Sequence, residues 1–145
     1  MNDRIYAQPT RGFWIVSSLT LLWNLLGVAA YLLQVTASPE ALNTLTEAER
    51  NLRSNMPGLV TGANAIAVFS GSLASLALLL RRTWAIPLFV LSLLAVLAQL
   101  AATLLLTDAF AVLGAPALVL PVAIVLIGIY LIAFSRAAKR QGYLF

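Results

Sequence analysis

Four long apolar runs divide the chain and predict four membrane-spanning helices: residues 13–35, 58–80, 83–106 and 116–134. No run contains an acidic or basic side chain. A helix needs about 20 such residues to cross a hydrocarbon core of about 30 Å. The predicted fold class is therefore all-α, a polytopic membrane four-helix bundle in which residues 1–145 form a single transmembrane domain.

The first run has an alternative interpretation as a cleaved signal peptide. Residues 35–37, Val-Thr-Ala, resemble the small-residue site at which such peptides are cleaved. The apolar part of a signal peptide is about 7–15 residues long, which is shorter than this run. We therefore expect the run to be retained as the first span.

The polar loop 36–57 predicts a short amphipathic extramembrane helix between the first and second spans. Ser38 before Pro39 is a helix start, and Thr46 with Glu49 has the spacing of a capping box. Glu49 and Arg53 are four residues apart, which favours an ion pair. We expect one bent helix or two short ones, lying on the membrane surface or capping the bundle as a packed connector. The alternative is a ligand gate or a partner-binding element. One helical face carries the apolar side chains Leu42, Leu45, Ala48, Leu52 and Met56.

Two prolines mark the fourth span. Pro116 opens it, and Pro121, about one turn further in, predicts a bend. Residues 107–115 before it predict a short turn, and residues 135–145 after it predict a polar tail.

Very small side chains recur every fourth residue along the second run, and on a helix they form one stripe. Such a stripe lets neighbouring helices approach the backbone closely, so we expect this run to be the central helix of the bundle. The helix-packing stripe consists of Ala63, Ala67, Gly71 and Ser75.

Polar side chains inside the runs need partners, because lipid offers none. The helical faces and depths of four of them are compatible with a polar pocket in the outer half of the bundle. The alternative is that the amides are interhelical hydrogen-bond partners only, worth about 0.6–2 kcal/mol each. The predicted pocket consists of Asn24, Tyr31, Asn64 and Gln99.

Charge predicts the orientation of the chain. The chain is 61% hydrophobic and 10% charged, with a net charge of +4. Lysines and arginines near span ends mark the cytoplasmic side, so we expect both termini to be cytoplasmic and no nucleic acid to be bound. Arg50 and Arg53 lie on the other side. The cytoplasmic side carries Arg4, Arg11 and the charge anchors Arg81, Arg82, Arg136, Lys139 and Arg140.

Missing residue types exclude several kinds of chemistry. The chain has no cysteine and no histidine, which excludes thiolate catalysis and histidine-based metal sites or general bases. No ionisable group of the kind that proton-coupled transporters commonly use lies within a run. We expect neither a cofactor nor an enzymatic activity.

Four groups of residues carry a resemblance to a known family: Leu22-Trp23-Asn24 with Gly27, Glu47-Ala48-Glu49-Arg50, the region of Gly71, and Arg82-Thr83-Trp84-Ala85. Through them, residues 13–42, 47–50 and 67–99 resemble a family of small four-span bacterial inner-membrane proteins. Members of that family are largely uncharacterised, and some carry an automatic label of sugar transporter. The resemblance implies a bacterial inner-membrane setting and adds no functional residues.

Two functions remain open. The first is a non-enzymatic accessory or interaction subunit, either of a homo-oligomer or of a membrane complex. The second is a transporter or channel subunit for a small neutral solute such as a sugar, since the polar groups in the spans are amides and hydroxyls. A single four-span protomer is small for alternating access, so the second function implies a larger assembly.

Overall fold

The computed structural model of the protein describes residues 7–145, and Arg4 lies outside them. Four of its helical segments are long and apolar enough to cross a membrane: Arg11–Val35, Gly58–Leu79, Ala85–Leu106 and Ala115–Arg140. The all-α fold with four membrane-length helices is confirmed, and the described residues contain no β-strand. In chain order the elements are α1 (Arg11–Val35), α2 (Pro39–Leu42), α3 (Glu47–Ser54), α4 (Gly58–Leu79), α5 (Ala85–Leu106), α6 (Ala109–Leu113), the 3₁₀ turn (Ala115–Leu118) and α7 (Val119–Arg140).

Helix α4 lies between α1 and α5, and α5 packs in turn against α7. In α4, 44% of the residues in the most apolar stretch are buried, against 11% in α1, 17% in α5 and 6% over the 3₁₀ turn and α7. The difference follows from the small side chains on α4, which let helices on two sides approach its backbone. The outer helices expose large aliphatic side chains, such as Leu33 at 73% and Leu105 at 81%, as lipid contact requires.

The apolar core is densest at the end of the bundle where α1 begins. There the buried rings of Phe13 and Phe89 pack with Leu78 and Leu131. The hydroxyl of Thr10 caps α1 by accepting the N–H of Phe13 at 3.3 Å. This end therefore holds α1, α4, α5 and α7 together through large side chains that pack among buried alanines.

The fourth span differs from the prediction at both ends. The α-helix begins at Val119, so Pro121 lies in its first turn instead of bending it further in. Proline is tolerated there because the N–H groups of the first turn have no partner within the helix. The predicted polar tail is helical as far as Arg140, because Leu131, Ser135 and Ala138 continue one buried face. The predicted turn before the span contains the short helix α6.

The loop between α1 and α4 forms two short helices with the predicted starts. The Ser38 hydroxyl accepts the N–H of Ala41 at 3.3 Å. At the start of α3, the Thr46 hydroxyl accepts the N–H of Glu49 at 3.3 Å, and the Glu49 carboxylate accepts the N–H of Thr46 at 2.9 Å, which completes the capping box.

The predicted ion pair between Glu49 and Arg53 is not formed. The Arg53 guanidinium donates instead to the carbonyl of Gln34 at 3.3 Å, close to the C-terminal end of α1. A cation is favoured there because the last carbonyls of a helix carry partial negative charge. Arg50 donates to the carbonyls of Leu42 and Leu45, so both arginines of the loop are used to fix it.

Candidate functional site

A chain of hydrogen bonds links α1 to α4 in the middle of the bundle. The Asn24 side-chain amide donates to the carbonyl of Thr20 at 2.9 Å and to the Ser75 hydroxyl at 3.0 Å. The Ser75 hydroxyl, which is fully buried, donates to the carbonyl of Gly71 at 2.7 Å. The amide of Asn24 is thus held between two helices.

Helix α5 reaches the same level of α4 from the other side. The Ser92 hydroxyl donates to the carbonyl of Ala67 at 2.8 Å. A methyl group added at Gly71 would collide with the Asn24 side-chain oxygen and would lie 3.0 Å from the Ser92 hydroxyl oxygen. Gly71 is therefore the point where α1 and α5 both reach α4. The hydroxyl protons of Ser75 and Ser92 are held by backbone carbonyls, so this cluster connects helices and contains no activated nucleophile.

The other three residues of the predicted pocket lie apart from this cluster. Tyr31 is half-buried and meets the ring of Phe69 edge-on, with 6.0 Å between ring centroids. Asn64 and Gln99 are half-buried, and within residues 7–145 their side chains form no hydrogen bond. The four residues of the predicted pocket therefore share no hydrogen bond with one another, and a pocket that joins them stays a prediction. The small stripe, Ala63, Ala67, Gly71 and Ser75, is buried throughout.

Arg81 organises the end of the bundle where α4 turns into α5. Its backbone is left-handed, with φ of 59°, and the next N–H, that of Arg82, reaches back to the carbonyl of Ala77 at 2.8 Å. This is a Schellman motif, in which the left-handed position is usually glycine. The Arg81 side chain donates to the carbonyl of Tyr143 at 2.7 Å and to that of Ala7 at 2.9 Å.

Residues 143–145 are held against the same turn by further contacts. The N–H of Phe145 donates to the carbonyl of Arg81 at 2.7 Å, and the N–H of Thr83 donates to the carbonyl of Phe145 at 3.1 Å. The guanidinium groups of Arg81 and Arg82 lie 5.2 and 4.9 Å from the centre of the Phe145 ring. Of the predicted charge anchors, Arg81 and Arg82 thus contact their own chain, and Arg82, Arg136, Lys139 and Arg140 are exposed.

The two ends of the bundle differ in charge. The acidic residues that the structure describes all lie at the end opposite Arg81: Glu40, Glu47, Glu49 and Asp108. Hydrogen bonds to the Thr46 hydroxyl and backbone N–H lower the pKa of Glu49. The backbone N–H of Glu40 and the Ser38 hydroxyl lower the pKa of Glu40. Residues 7–145 contain no cluster of three acidic side chains that would hold a metal ion.

An apolar groove of about 460 Å³ separates α1 from α7. The two helices meet where the rings of Phe13 and Phe134 stack, with 6.0 Å between centroids, and leave the groove open beyond them. Trp23 and Tyr130 line it together with aliphatic side chains and are 43% and 54% exposed. The apolar pattern did not predict this groove, although two aromatic side chains with polar atoms inside apolar runs, Trp23 and Tyr130, were a signal.

A second cavity, of about 360 Å³, lies between α3 and the junction of α5 with α6. The lining residues in and just after α3 are spaced three or four residues apart, so one face of that helix borders the cavity. We refer to it as the α3/α6 cleft. It is lined by Ala48, Asn51, Leu52, Asn55, Leu106, Thr107, Asp108 and Val112.

Comparison with known proteins assigns no relative. No family model matches the chain, and searches of curated proteins and of solved structures return no significant match.

Proposed function

We propose that the protein is a non-enzymatic, multi-pass protein of the bacterial inner membrane that acts as an accessory or interaction subunit. In this proposal, the groove between α1 and α7 receives a transmembrane helix of a partner. The exposed aliphatic surface and the four membrane-length helices support the membrane setting. Loop helices α2 and α3 are then the extramembrane part of the chain.

Two polar donors in the groove are the observation that carries this proposal. Trp23 is the middle residue of α1, and Tyr130 lies about 8 Å from the middle of the apolar run 116–134 at 1.5 Å per residue, which is inside the half-thickness of about 15 Å of the hydrocarbon core. The indole N–H and the phenol hydroxyl form no hydrogen bond within residues 7–145. Lipid tails offer no acceptor at that depth, whereas a helix with a serine, threonine or accessible carbonyl does.

Native mass spectrometry of the protein, extracted gently from its own membrane, tests the proposal. We expect a complex with a second polypeptide, and we expect Tyr130→Phe to weaken it about two- to tenfold, the effect of one neutral hydrogen bond. Tyr31→Phe is the matched control, because that ring packs on Phe69 away from the groove. A bare monomer, or equal complex formation by the wild type and Tyr130→Phe, would contradict the proposal.

Transport of a small neutral solute such as a sugar is the second candidate function. It is favoured by Asn64 and Gln99, whose half-buried amides have no hydrogen-bond partner within residues 7–145. Leucine at either position should abolish uptake without lowering stability, whereas Asn24→Leu should lower the melting temperature because it removes the bond to Ser75. Unchanged uptake in both Asn64→Leu and Gln99→Leu would rule this function out.

A further inference from the structure

We infer that the α3/α6 cleft is a binding site for a small aliphatic ammonium compound. The inference is independent of the groove between α1 and α7, because the cleft lies at the acidic end of the bundle and shares no lining residue with the groove. Its volume of about 360 Å³ falls within the range of small-molecule sites.

The polar groups left free in the cleft are mainly acceptors. The Asp108 carboxylate precedes α6 without capping it and forms no hydrogen bond within residues 7–145. The Asn55 side-chain amide donates to the carbonyl of Asn51 at 2.9 Å, and the side-chain oxygen of Asn55 remains free. The Thr107 hydroxyl donates to the carbonyl of Thr103 at 2.6 Å and accepts the N–H of Ala109 at 3.3 Å, so it is largely used within the chain. The Asn51 amide and the second N–H of the Asn55 amide are free donors, and Asp108 is the charged side chain among the lining residues, so the cleft suits a cationic ligand that also donates hydrogen bonds.

The electrostatic field of the cleft favours a positive ligand. The 22-residue helix α5 ends at Leu106 on its wall, and Thr107 donates no backbone N–H to the last turn. The C-terminal end of a helix carries partial negative charge, which here adds to the charge of Asp108. Among residues 7–145, no lysine or arginine lines the cleft, and Arg50 and Arg53 are held by carbonyls of Leu42, Leu45 and Gln34.

The apolar side chains of the cleft indicate the chemistry of the uncharged part of the ligand. Leu52, Leu106 and Val112 border the cleft beside the acceptors, and no aromatic ring does. Sugars usually stack on aromatic faces, whereas an alkyl chain packs well against leucine and valine. An ammonium group on a short aliphatic chain matches both parts of the lining.

Isothermal titration of the full chain in nanodiscs of neutral phosphatidylcholine tests the inference, with 1,4-diaminobutane as the probe and 1,4-butanediol as its uncharged isostere. We expect saturable binding of the diamine only, weakened about tenfold or more by Asp108→Asn, since that bond is charge-assisted. Glu47→Gln is the matched control, because it removes a carboxylate from the same end without touching the cleft.

The Asp108→Asn change should leave the fold intact, since the carboxylate caps no helix. Asn51→Leu provides a second variant on the facing helix and should also weaken binding of the diamine. Equal diamine affinity in the wild type and Asp108→Asn would overturn the inference, as would preference for the diol or the absence of saturable binding.

Discussion

Gly71 is the residue at which three helices meet, and its missing side chain makes the meeting possible. The side-chain oxygen of Asn24 occupies the space where a methyl group would stand, and the hydroxyl oxygen of Ser92 lies in tight contact with that space. A contact of this kind allows the backbones to approach until Asn24 bonds to Ser75 and Ser92 bonds to the carbonyl of Ala67. The small size of Gly71 is therefore what allows the interhelical hydrogen bonds around it to form.

Replacing Gly71 by alanine should destabilise the protein by about 1–3 kcal/mol, because the Asn24 side chain must move and its hydrogen bond to Ser75 is disturbed. Gly62→Ala is the matched control on the same helix, since an added methyl group there has no atom within 4 Å. That control should be neutral or should stabilise α4 by up to about 1 kcal/mol through helix propensity. Thermal unfolding in detergent measures both variants, and an equal response of the two would show that Gly71 is not a packing contact.

At the scale of elements, sequence patterns predicted the helix starts, which are determined by residues close together in the sequence. The starts of α2 and α3 follow from Ser38 and Thr46, because an N-cap needs only the next three residues. The end of α7 could not be obtained this way. Its basic residues indicated a polar tail, but the helix continues because Ser135 and Ala138 are buried against other parts of the chain.

The turn from α4 to α5 has an arginine, Arg81, at the left-handed position where glycine is usual. An arginine in left-handed conformation costs more than glycine, and Arg81 compensates by binding the carbonyls of Tyr143 and Ala7. We expect Arg81→Gly to keep the turn but to release residues 143–145. Hydrogen exchange should then become faster at the N–H groups of Phe145 and Thr83.

Arg136→Gln is the control for this prediction, because that side chain is exposed and lies outside the turn. It should leave hydrogen exchange at Phe145 and Thr83 unchanged. Unaltered exchange in Arg81→Gly would mean that the backbone bonds between residues 81, 83 and 145 suffice without the guanidinium.

At the scale of the whole molecule, the order of the helices around the bundle could not be predicted from the pattern of apolar residues. Runs of leucine and valine predict that a helix lies in lipid but not which helix lies beside it, because association depends on the fit of particular side chains. The stripe on α4 indicated a central helix, and α4 is the helix with the most buried residues. The groove between α1 and α7 begins beyond the contact of the Phe13 and Phe134 rings. No periodicity along a single run predicts such a contact between two helices.

The charge distribution of the whole molecule leads to a prediction of its orientation. The end with Arg81 has six basic residues in the part of the chain that the structure describes, and no acidic residue. The opposite end has only Arg50 and Arg53, and both are bound to carbonyls. From the positive-inside rule we predict that the first end lies in the cytoplasm. Since the chain has no cysteine, single cysteines at the exposed positions of Asn43 and Gln141 report the topology. In intact cells, a membrane-impermeant maleimide should label Asn43→Cys alone, and labelling of Gln141→Cys without permeabilisation would reverse the orientation.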